Sequence, residues 1–352
     1  MTDRPSKIPG WRNQLDRLAF YSKQLFRLIS PATQPGMGAL PHEAGTSFRV
    51  WAPHAGQVFV TGTFNNWSRW RSPLAREANG YWSANVAQAG PGDTYKYIII
   101  PPHGQPLHRT DPYARDVTPE FSNSVICNGT FDWGSREAEP LFQMPGWHEL
   151  VIYELHVGTF EENPAGVVGT FQGVINKLPY LQELGINAIQ LMPVAEFEGD
   201  YSWGYNPAHP FAVSRTYGGR AALKELVKAA HSHGIAVILD VVYNHFGPQD
   251  LSLWQFDGWH QNGLGGIYFY NDWRSKTPWA DTRPDFGRLE VRQYLLDNAL
   301  MWLEEFQLDG LRWDATNQIR NAHGFDSEPG ADIAEGWEFM KWVNSQVDAR
   351  LP

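Results

Sequence analysis

Residues 219–245 read GRAALKELVKAAHSHGIAVILDVVYNH, and this stretch decides the fold. Apolar residues recur every three or four positions over residues 219–232, which predicts an amphipathic helix that ends at Gly234. The following residues, 235–242, form a nearly continuous apolar run, which is typical of a strand buried on both faces of a sheet. A helix followed by such a strand predicts a parallel α/β sheet.

The same alternation of strand and helix extends in both directions from this stretch. Strands are predicted at residues 151–155, 186–192 and 310–314, and helices at residues 174–184, 290–306 and 334–350. Long loops follow the carboxyl ends of these strands. This arrangement is typical of a (β/α)8 barrel, whose functional site lies on that face.

The number of strands falls short of a closed barrel. A (β/α)8 TIM barrel needs eight strands and about 250 residues, whereas residues 150–352 supply four βα units. We therefore expect the first half of such a barrel, in a chain that is truncated before its fifth strand. An open doubly wound sheet is the alternative, although no glycine-rich phosphate-binding loop follows the first strand.

Residues 46–126 follow a different pattern, with short alternating runs separated by turn residues, which predicts a small β-sandwich of the immunoglobulin-like type. An amphipathic helix is expected at residues 10–30 and a Pro/Gly-rich linker at residues 31–41. The expected organisation therefore has three parts: a helix and linker at residues 1–43, the sandwich at residues 44–127 and the partial barrel at residues 128–352.

The composition of the 352 residues limits the classes of function. Lys and Arg number 28 and Asp and Glu 38, so the net charge of −10 does not favour nucleic acid or anionic lipid as a partner. The single cysteine, Cys127, excludes a disulfide framework and a cysteine-based metal site. Neither a membrane-spanning run nor a signal-peptide core is evident, so a cytoplasmic protein is expected. Aromatic residues make up 14% of the chain, and such rings can stack on sugars.

Charged side chains interrupt two of the apolar strands. In GLRWDA at residues 310–315, Arg312 and Asp314 are two positions apart and share one face of the strand. The guanidinium would keep the carboxylate ionised, as a nucleophile requires. Asp240 interrupts the strand at residues 235–242, and His245 lies just beyond it. Taken one at a time, these residues are more simply a structural ion pair, a loop anchor and an ordinary histidine.

The loop after the second strand reads YSWGYNP at residues 201–207. We predict that Tyr205 stacks against a sugar ring and that Trp203 packs beneath it, and an aromatic pair that only fixes the loop is the alternative. The loop between residues 254 and 279 adds further rings, among them Trp259, Tyr268, Phe269, Tyr270 and Trp273.

In this order on consecutive strands, the motifs resemble the α-amylase superfamily of glycoside hydrolases and transglycosylases (glycoside hydrolase family 13). DVVYNH at residues 240–245 is similar to the first signature of that family and GLRWDA to the second. The resemblance implies that Asp314 is the catalytic nucleophile and that Arg312 keeps it ionised. It also implies that Asp240 supports the site and that His245 binds the sugar at the cleavage subsite.

The resemblance extends to the loop and to the sandwich. Tyr205 matches the stacking tyrosine of the family, and Asn206, where branching enzymes usually have Gln, is expected to contact substrate. Motifs in the sandwich resemble the glycogen-binding type of carbohydrate module (CBM48), at residues 48–53, 62–67, 95–97 and 111–114. A helix, this module and then the barrel is the order of 1,4-α-glucan branching enzymes.

This resemblance implies an α-glucan-active transferase of glycogen biosynthesis, with glycogen, amylose or maltooligosaccharide as its partner and no cofactor. Trehalohydrolase-type enzymes are a close alternative, because residues 156–160, 192–197 and 244–248 are similar to theirs. A non-catalytic glucan-binding protein is an alternative of another class. No metal is expected: His231 and His233 are interpreted as capping or surface residues, and calcium through Asn244 would lack its companion ligands.

The implied mechanism is retaining, with a nucleophile and a general acid about 5–5.5 Å apart. In the family the acid is a Glu at the end of the fifth strand, and a further Asp follows the seventh strand. Both positions lie beyond Pro352. Four carboxylates were weighed as substitutes and none is well placed, namely Glu154, Glu196, Glu198 and Glu335. We therefore expect the 352-residue chain to lack catalytic turnover.

Overall fold

The computed structural model describes residues 36–119, 122–134, 142–161, 164, 166–197, 202–247 and 251–351. The helix expected at residues 10–30 lies outside them. The described residues form an antiparallel β-sandwich followed by an α/β unit with a parallel sheet, so the predicted fold class is confirmed. No helix in this part of the chain is long and apolar enough to span a membrane.

Two antiparallel sheets form the sandwich. Its strands are β1 (Gly38–His42), β2 (Gly45–Trp51), β3 (Gln57–Gly62), β4 (Ala75–Arg76), β5 (Tyr81–Val86), β6 (Thr94–Ile100), β7 (Leu107–Arg109) and β8 (Ser124–Val125). One sheet has the order β1-β2-β5-β4, and in the other β6 pairs with β3, β7 and β8. Alternation along β2 buries Phe48 and Val50, which pair with Ala84 and Trp82 of β5. Their side chains belong to the core between the sheets.

Strand β1 lies where a linker was predicted, and that prediction is wrong for residues 38–42. The strand folds back on β2 through a tight turn in which His42 pairs with Gly45. Gly45 has φ +123°, and a Cβ there would lie 2.4 Å from the carbonyl oxygen of Val86, so the turn requires glycine. Pro41 is tolerated because β1 is the edge strand, where a missing N–H need not break the ladder.

The α/β unit alternates strands and helices. Its elements are β9 (Ile152–Leu155), α1 (Val157–Phe160), α2 (Phe171–Glu183), β10 (Ala188–Leu191), β11 (Ala195–Phe197), β12 (Pro207–Val213), α3 (Gly219–Ser232), β13 (Ala236–Val241), α4 (Leu289–Leu300), β14 (Gly310–Trp313), α5 (Thr316–Arg320) and α6 (Ala334–Arg350). A π-helical turn, Met301–Glu305, extends α4, so the predicted helix at residues 290–306 is one run with a change of pitch.

The parallel sheet has the order β9-β10-β13-β14, so its strands lie side by side in the order in which they occur along the chain. Each new strand is therefore added on the same side, as in a barrel, whereas a doubly wound sheet reverses direction at a switch point. Asp240 of β13 pairs in register with Arg312 of β14. Because parallel strands end at the same edge, the loops that carry the candidate site residues meet there.

A hairpin of β11 and β12 occupies residues that were predicted as a long loop. Strand β12 reads PAHPFAV and is buried along its whole length. Its pairing with β11 is irregular, with shifts in register on both sides of Glu196. Two prolines and this irregular pairing hide the strand from a search for alternating residues.

The sandwich packs against the loop between β13 and α4. Arg109 of β7 donates hydrogen bonds from Nε to the carbonyl oxygen of Phe256 (2.8 Å) and from Nη2 to that of Gln255 (2.7 Å). The backbone N–H of His54 donates to Asp257 Oδ2 at 2.9 Å. The two units are thus joined by directional bonds as well as by apolar packing.

Candidate active site

Asp314 follows β14 at the carboxyl edge of the sheet. Its backbone N–H donates to the carbonyl oxygen of Val241 at 3.0 Å, which continues the pairing of the two strands by one residue. Ala315 then adopts a left-handed conformation, with φ 40° and ψ 51°, and α5 begins. This sharp turn ends the strand immediately after Asp314, whose side chain remains 16% exposed.

Arg312 links two carboxylates. Its Nη1 lies 2.6 Å from Asp240 Oδ2 and 3.1 Å from Asp314 Oδ1. The side chain of Asp240 is fully buried, whereas that of Arg312 is 44% exposed. The guanidinium therefore contacts both solvent and the buried carboxylate. For the buried Asp240, the charge of Arg312 opposes the effect of burial on the pKa of the carboxyl group.

Asp240 has one oxygen satisfied and one not. Oδ2 accepts hydrogen bonds from Arg312 and from the hydroxyl of Tyr205 at 2.8 Å. Oδ1 is buried and has no hydrogen-bond donor among the described residues. Burial raises the pKa of Asp240 to about 6, although Tyr205 and Arg312 oppose the shift. A buried acceptor without a donor is costly to the folded state.

Gly204 allows Tyr205 to reach Asp240. It has φ +86°, and a Cβ there would lie 2.3 Å from the carbonyl oxygen of Pro193. Any other residue would push the loop away from the sheet. The prediction that Trp203 packs beneath Tyr205 is wrong, because Trp203 is 72% exposed. Trp203 lies just before the left-handed turn at Gly204, and its indole faces solvent.

His245 stacks on Trp279, with ring centroids 4.6 Å apart and planes inclined by 20°. Its Nδ1 faces Asn244 Oδ1, and its Nε2 lies 3.1 Å from Asn206 Oδ1. Burial, together with the charge of Arg283, lowers the pKa of His245 to about 4, so the ring is neutral at pH 7. The structure thus places Asn206 against His245, in the wall of the site.

Asn244 holds Asp314, a role that the sequence analysis missed. Its buried Nδ2 donates both to the backbone oxygen of Asp314 (2.9 Å) and to Asp314 Oδ2 (3.0 Å). Each oxygen of the Asp314 carboxylate therefore has one donor, from Arg312 or Asn244. The only sequence signal is an Asn three residues after the end of a buried strand. Within the described residues no group of three or more His, Cys, Asp or Glu side chains could hold a metal ion.

The carboxylates weighed as substitute acids are bonded elsewhere. Glu154 accepts a hydrogen bond from Gln190 at 2.9 Å, and Glu196 accepts one from the backbone of Arg215 at 2.9 Å. Glu335 of α6 accepts one from the hydroxyl of Tyr270 at 3.0 Å. Glu198 lies outside the described residues.

Two family profiles match this chain. Residues 154–277 match the catalytic domain of alpha amylase, and residues 36–114 match carbohydrate-binding module 48, the isoamylase N-terminal domain. The 1,4-alpha-glucan branching enzyme GlgB of Thiobacillus denitrificans is 34% identical over 88% of this chain and 43% of its own length. The malto-oligosyltrehalose trehalohydrolase of Saccharolobus solfataricus is 38% identical over 87% of this chain and 50% of its own length.

Solved structures show the same architecture. The crystal structure of a Salmonella typhimurium protein described as an alpha amylase superposes with a TM-score of 0.72 at 28% identity. The superposition covers 91% of this chain and 48% of that protein's chain. The pullulanase of Paenibacillus barengoltzii, a D470A mutant complexed with maltotetraose, has a TM-score of 0.71 at 23% identity. The chain spans about half the length of the relatives that it matches.

Proposed function

Because this chain belongs to the α-amylase family and carries a carbohydrate-binding module 48 ahead of its catalytic domain, we propose that it acts on α-glucans by a retaining mechanism. The proposed activity of the whole protein is that of a 1,4-α-glucan branching enzyme in glycogen biosynthesis, and the cytoplasm is its proposed location. Trehalohydrolase-type activity is the second candidate, favoured by the 38% identity to such an enzyme.

The observation that carries the proposal is the pairing of Asp314 with Arg312 and Asn244. Donors at 3.1 and 3.0 Å occupy one lone pair on each carboxylate oxygen, which fixes the orientation of the carboxylate. In the proposed reaction a carboxylate oxygen of Asp314 bonds to the anomeric carbon as the glycosidic C–O bond breaks. The leaving oxygen takes a proton from a general acid that we place outside the described residues.

The glycosyl ester is then cleaved by an incoming hydroxyl. The oxygen of a sugar 6-hydroxyl bonds to the anomeric carbon in branching, and that of water does so in hydrolysis. The incoming hydroxyl loses its proton to the deprotonated general acid, which now acts as the base, and Asp314 recovers its carboxylate. Asp240 is proposed to support the subsite by holding the hydroxyl of Tyr205 and the guanidinium of Arg312, and the ring of Tyr205 is proposed to stack on the sugar. His245 and Asn206 are proposed to shape the wall of this subsite.

The sandwich is proposed to bind the same polymer. Two indoles, Trp67 and Trp70, are exposed at one of its turns. Trp67 has φ +56°, a strained conformation for a bulky residue. Exposed flat rings on a strained, fixed turn are suited to stacking on glucose units.

The test uses a donor that needs no general acid. Maltotriosyl fluoride releases fluoride without protonation, so the glycosylation of Asp314 can be followed independently of the general acid. We expect the 352-residue chain to release fluoride at least about tenfold faster than the Asp314→Asn variant, with Glu154→Gln as a control that behaves like wild type. Equal rates in wild type and Asp314→Asn would refute Asp314 as the nucleophile.

Products separate the two candidate activities. Incubation with amylose should create α-1,6 linkages if the whole protein branches glucans, whereas trehalose release from a maltooligosyltrehalose would favour the second candidate. Retardation of the chain in an amylose-containing gel tests the substrate class by itself. A chain that migrates freely through amylose would contradict glucan binding.

A further inference from the structure

We propose that a pocket lined by Trp273, His323, Glu328, Gly330 and Ala331 binds a glucosyl unit of the α-glucan, as a subsite separate from the residues around Asp314. The proposal rests on the proposed function, since it names a further contact for the same substrate. We call this the Trp273 pocket. It lies between the loops that follow β13 and β14, and therefore at the same end of the sheet as Asp314.

The size and lining of the Trp273 pocket suit one pyranose. Its volume is about 290 Å³, close to the lower end of the roughly 300–1,000 Å³ of ligand sites. Trp273 is 56% exposed and offers a flat apolar face. His323 Nδ1 and Glu328 Oε2 lie 2.5 Å apart and offer polar atoms to solvent. A pyranose presents an apolar C–H face and a rim of hydroxyls, which match these two kinds of group.

Arg283 holds the two walls of the pocket together. Its side chain is fully buried. Nε donates to the carbonyl oxygen of Arg274 at 2.6 Å, beside Trp273, and Nη2 donates to that of Ala322 at 2.8 Å, beside His323. Burying a guanidinium is expensive. The hydrogen bonds of Arg283 offset this cost, and because they reach both loops they fix the distance between them.

Asn321 orders the polar wall. Its buried Oδ1 accepts hydrogen bonds from the backbone N–H groups of His323 (2.9 Å) and Gly324 (3.0 Å). Its Nδ2 donates to the backbone oxygen of Glu328 at 2.9 Å. One amide thus sets the positions of both polar residues of the pocket. A site that is already ordered loses little conformational entropy when a ligand binds.

The turn that presents Trp273 is fixed in a similar way. Asp272 Oδ1 accepts a hydrogen bond from the backbone N–H of Arg274 at 2.9 Å. The guanidinium of Arg274 lies over the ring of Tyr270, 4.3 Å from its centroid, and pairs with Glu335. The backbone that carries the exposed indole of Trp273 is therefore held in place, so the ring is presented to a ligand from a fixed position.

Fluorine NMR of the chain labelled with 5-fluorotryptophan tests the proposal directly. The chain has 16 Trp residues, and the Trp273 signal is assigned by its loss in Trp273→Phe. Maltoheptaose is the probe, and we expect it to shift the Trp273 signal saturably. A Trp273 signal that stays fixed while other signals move would overturn the pocket and leave the proposed function intact. If no signal moves, the proposed substrate class fails and the pocket fails with it.

Variants give a second, independent measurement. We expect Trp273→Ala to weaken the binding of maltoheptaose about tenfold and Glu328→Gln to weaken it severalfold. Trp273→Phe should retain part of the affinity, because it keeps a ring. Trp147→Ala is the matched control: Trp147 is 86% exposed but precedes β9, at the opposite end of the sheet, so binding should be unchanged. Equal affinities for Trp273→Ala and Trp147→Ala would refute the pocket.

Discussion

Arg312 is the residue on which the candidate active site depends. One Nη1 atom contacts Asp240 and Asp314 together, and the rest of the guanidinium faces solvent. This double contact is possible because Asp240 and Arg312 are paired residues of the adjacent strands β13 and β14. The contact of Arg312 with both carboxylates therefore follows from the pairing of two strands.

Replacing Arg312 by Lys keeps the charge and removes the fork of donors. We expect fluoride release from maltotriosyl fluoride to fall roughly 10- to 100-fold, because the shorter and more flexible lysine side chain does not hold its nitrogen at the position of Nη1 between the two carboxylates. The free energy of unfolding should change by only about 1 kcal/mol, since lysine keeps a positive charge beside the buried Asp240 and the pair with Asp314 is partly exposed. An Arg312→Lys chain with wild-type release would show that the double contact has no role in the reaction.

His245 predicts a pH-dependent stability. Its pKa is about 4 in the folded chain and about 6.5 when unfolded, so the unfolded state binds a proton first as the pH falls. His245 therefore contributes stability above pH 6.5, and this contribution is lost between pH 6.5 and 4. Asp240, whose pKa is raised to about 6, acts in the opposite direction over this range.

The comparison of wild type with His245→Gln isolates the histidine. Urea unfolding at pH 7.5 and at pH 4.5 should show that the advantage of wild type shrinks by about 2–3 kcal/mol at the lower pH. An advantage that is the same at both pH values would contradict a neutral, buried His245.

At the scale of elements, turns with left-handed residues decide where side chains meet. Gly204 and Gly185 have nearly the same φ, +86° and +84°. A Cβ at position 204 would lie 2.3 Å from the carbonyl oxygen of Pro193, whereas one at position 185, after α2, would meet nothing within 4 Å. The pair thus separates the cost of the backbone conformation from the cost of a clash.

We expect Gly185→Ala to destabilise the chain by about 1 kcal/mol, the cost of the left-handed backbone alone. Gly204→Ala should cost about 3 kcal/mol and should also slow fluoride release, because Tyr205 is displaced from Asp240. Urea unfolding of both variants provides the measurement. Similar losses in the two variants would show that the loop at Gly204 can move without penalty.

The elements that the sequence predicts well are those with a strong period. The helices at residues 219–232 and 334–350 agree with α3 and α6, and each predicted barrel strand contains an observed one. The sequence does not reveal β1 and β12, because proline and irregular pairing disguise them. Among the candidate site residues, the spacing of Arg312 and Asp314 could be read from one strand. The bond from Asn244 to Asp314 depends on two strands, and the exposure of Trp203 depends on a turn.

At the scale of the whole molecule, the motifs DVVYNH and GLRWDA indicated the α-amylase family, and residues 154–277, which contain DVVYNH, match the catalytic domain of alpha amylase. The contacts between the sandwich and the sheet were beyond prediction, because they join residues far apart in the chain. Arg109 and Gln255 are 146 positions apart, and no local pattern marks either.

Loss of Arg109 should loosen the two units from each other. In Arg109→Met, two charge-assisted bonds to backbone oxygens disappear, and we expect a loss of about 2–3 kcal/mol and a calorimetric transition that broadens or splits. Arg49→Met is the control, because Arg49 pairs with Glu77 of the same sandwich and both side chains are partly exposed at its surface. A single sharp transition in Arg109→Met, at the wild-type temperature, would contradict the coupling.

The bonds from Arg109 and His54 to residues 255–257 have a consequence for how a polymer would approach the chain. A binding module on a flexible linker raises the local concentration of its ligand without fixing the ligand's orientation. A module that is hydrogen-bonded to the neighbouring unit holds its ligand in one orientation relative to that unit. The sandwich is of the second kind. A polysaccharide chain bound to the sandwich would therefore reach the carboxyl edge of the parallel sheet in an orientation that the packing of the two units sets.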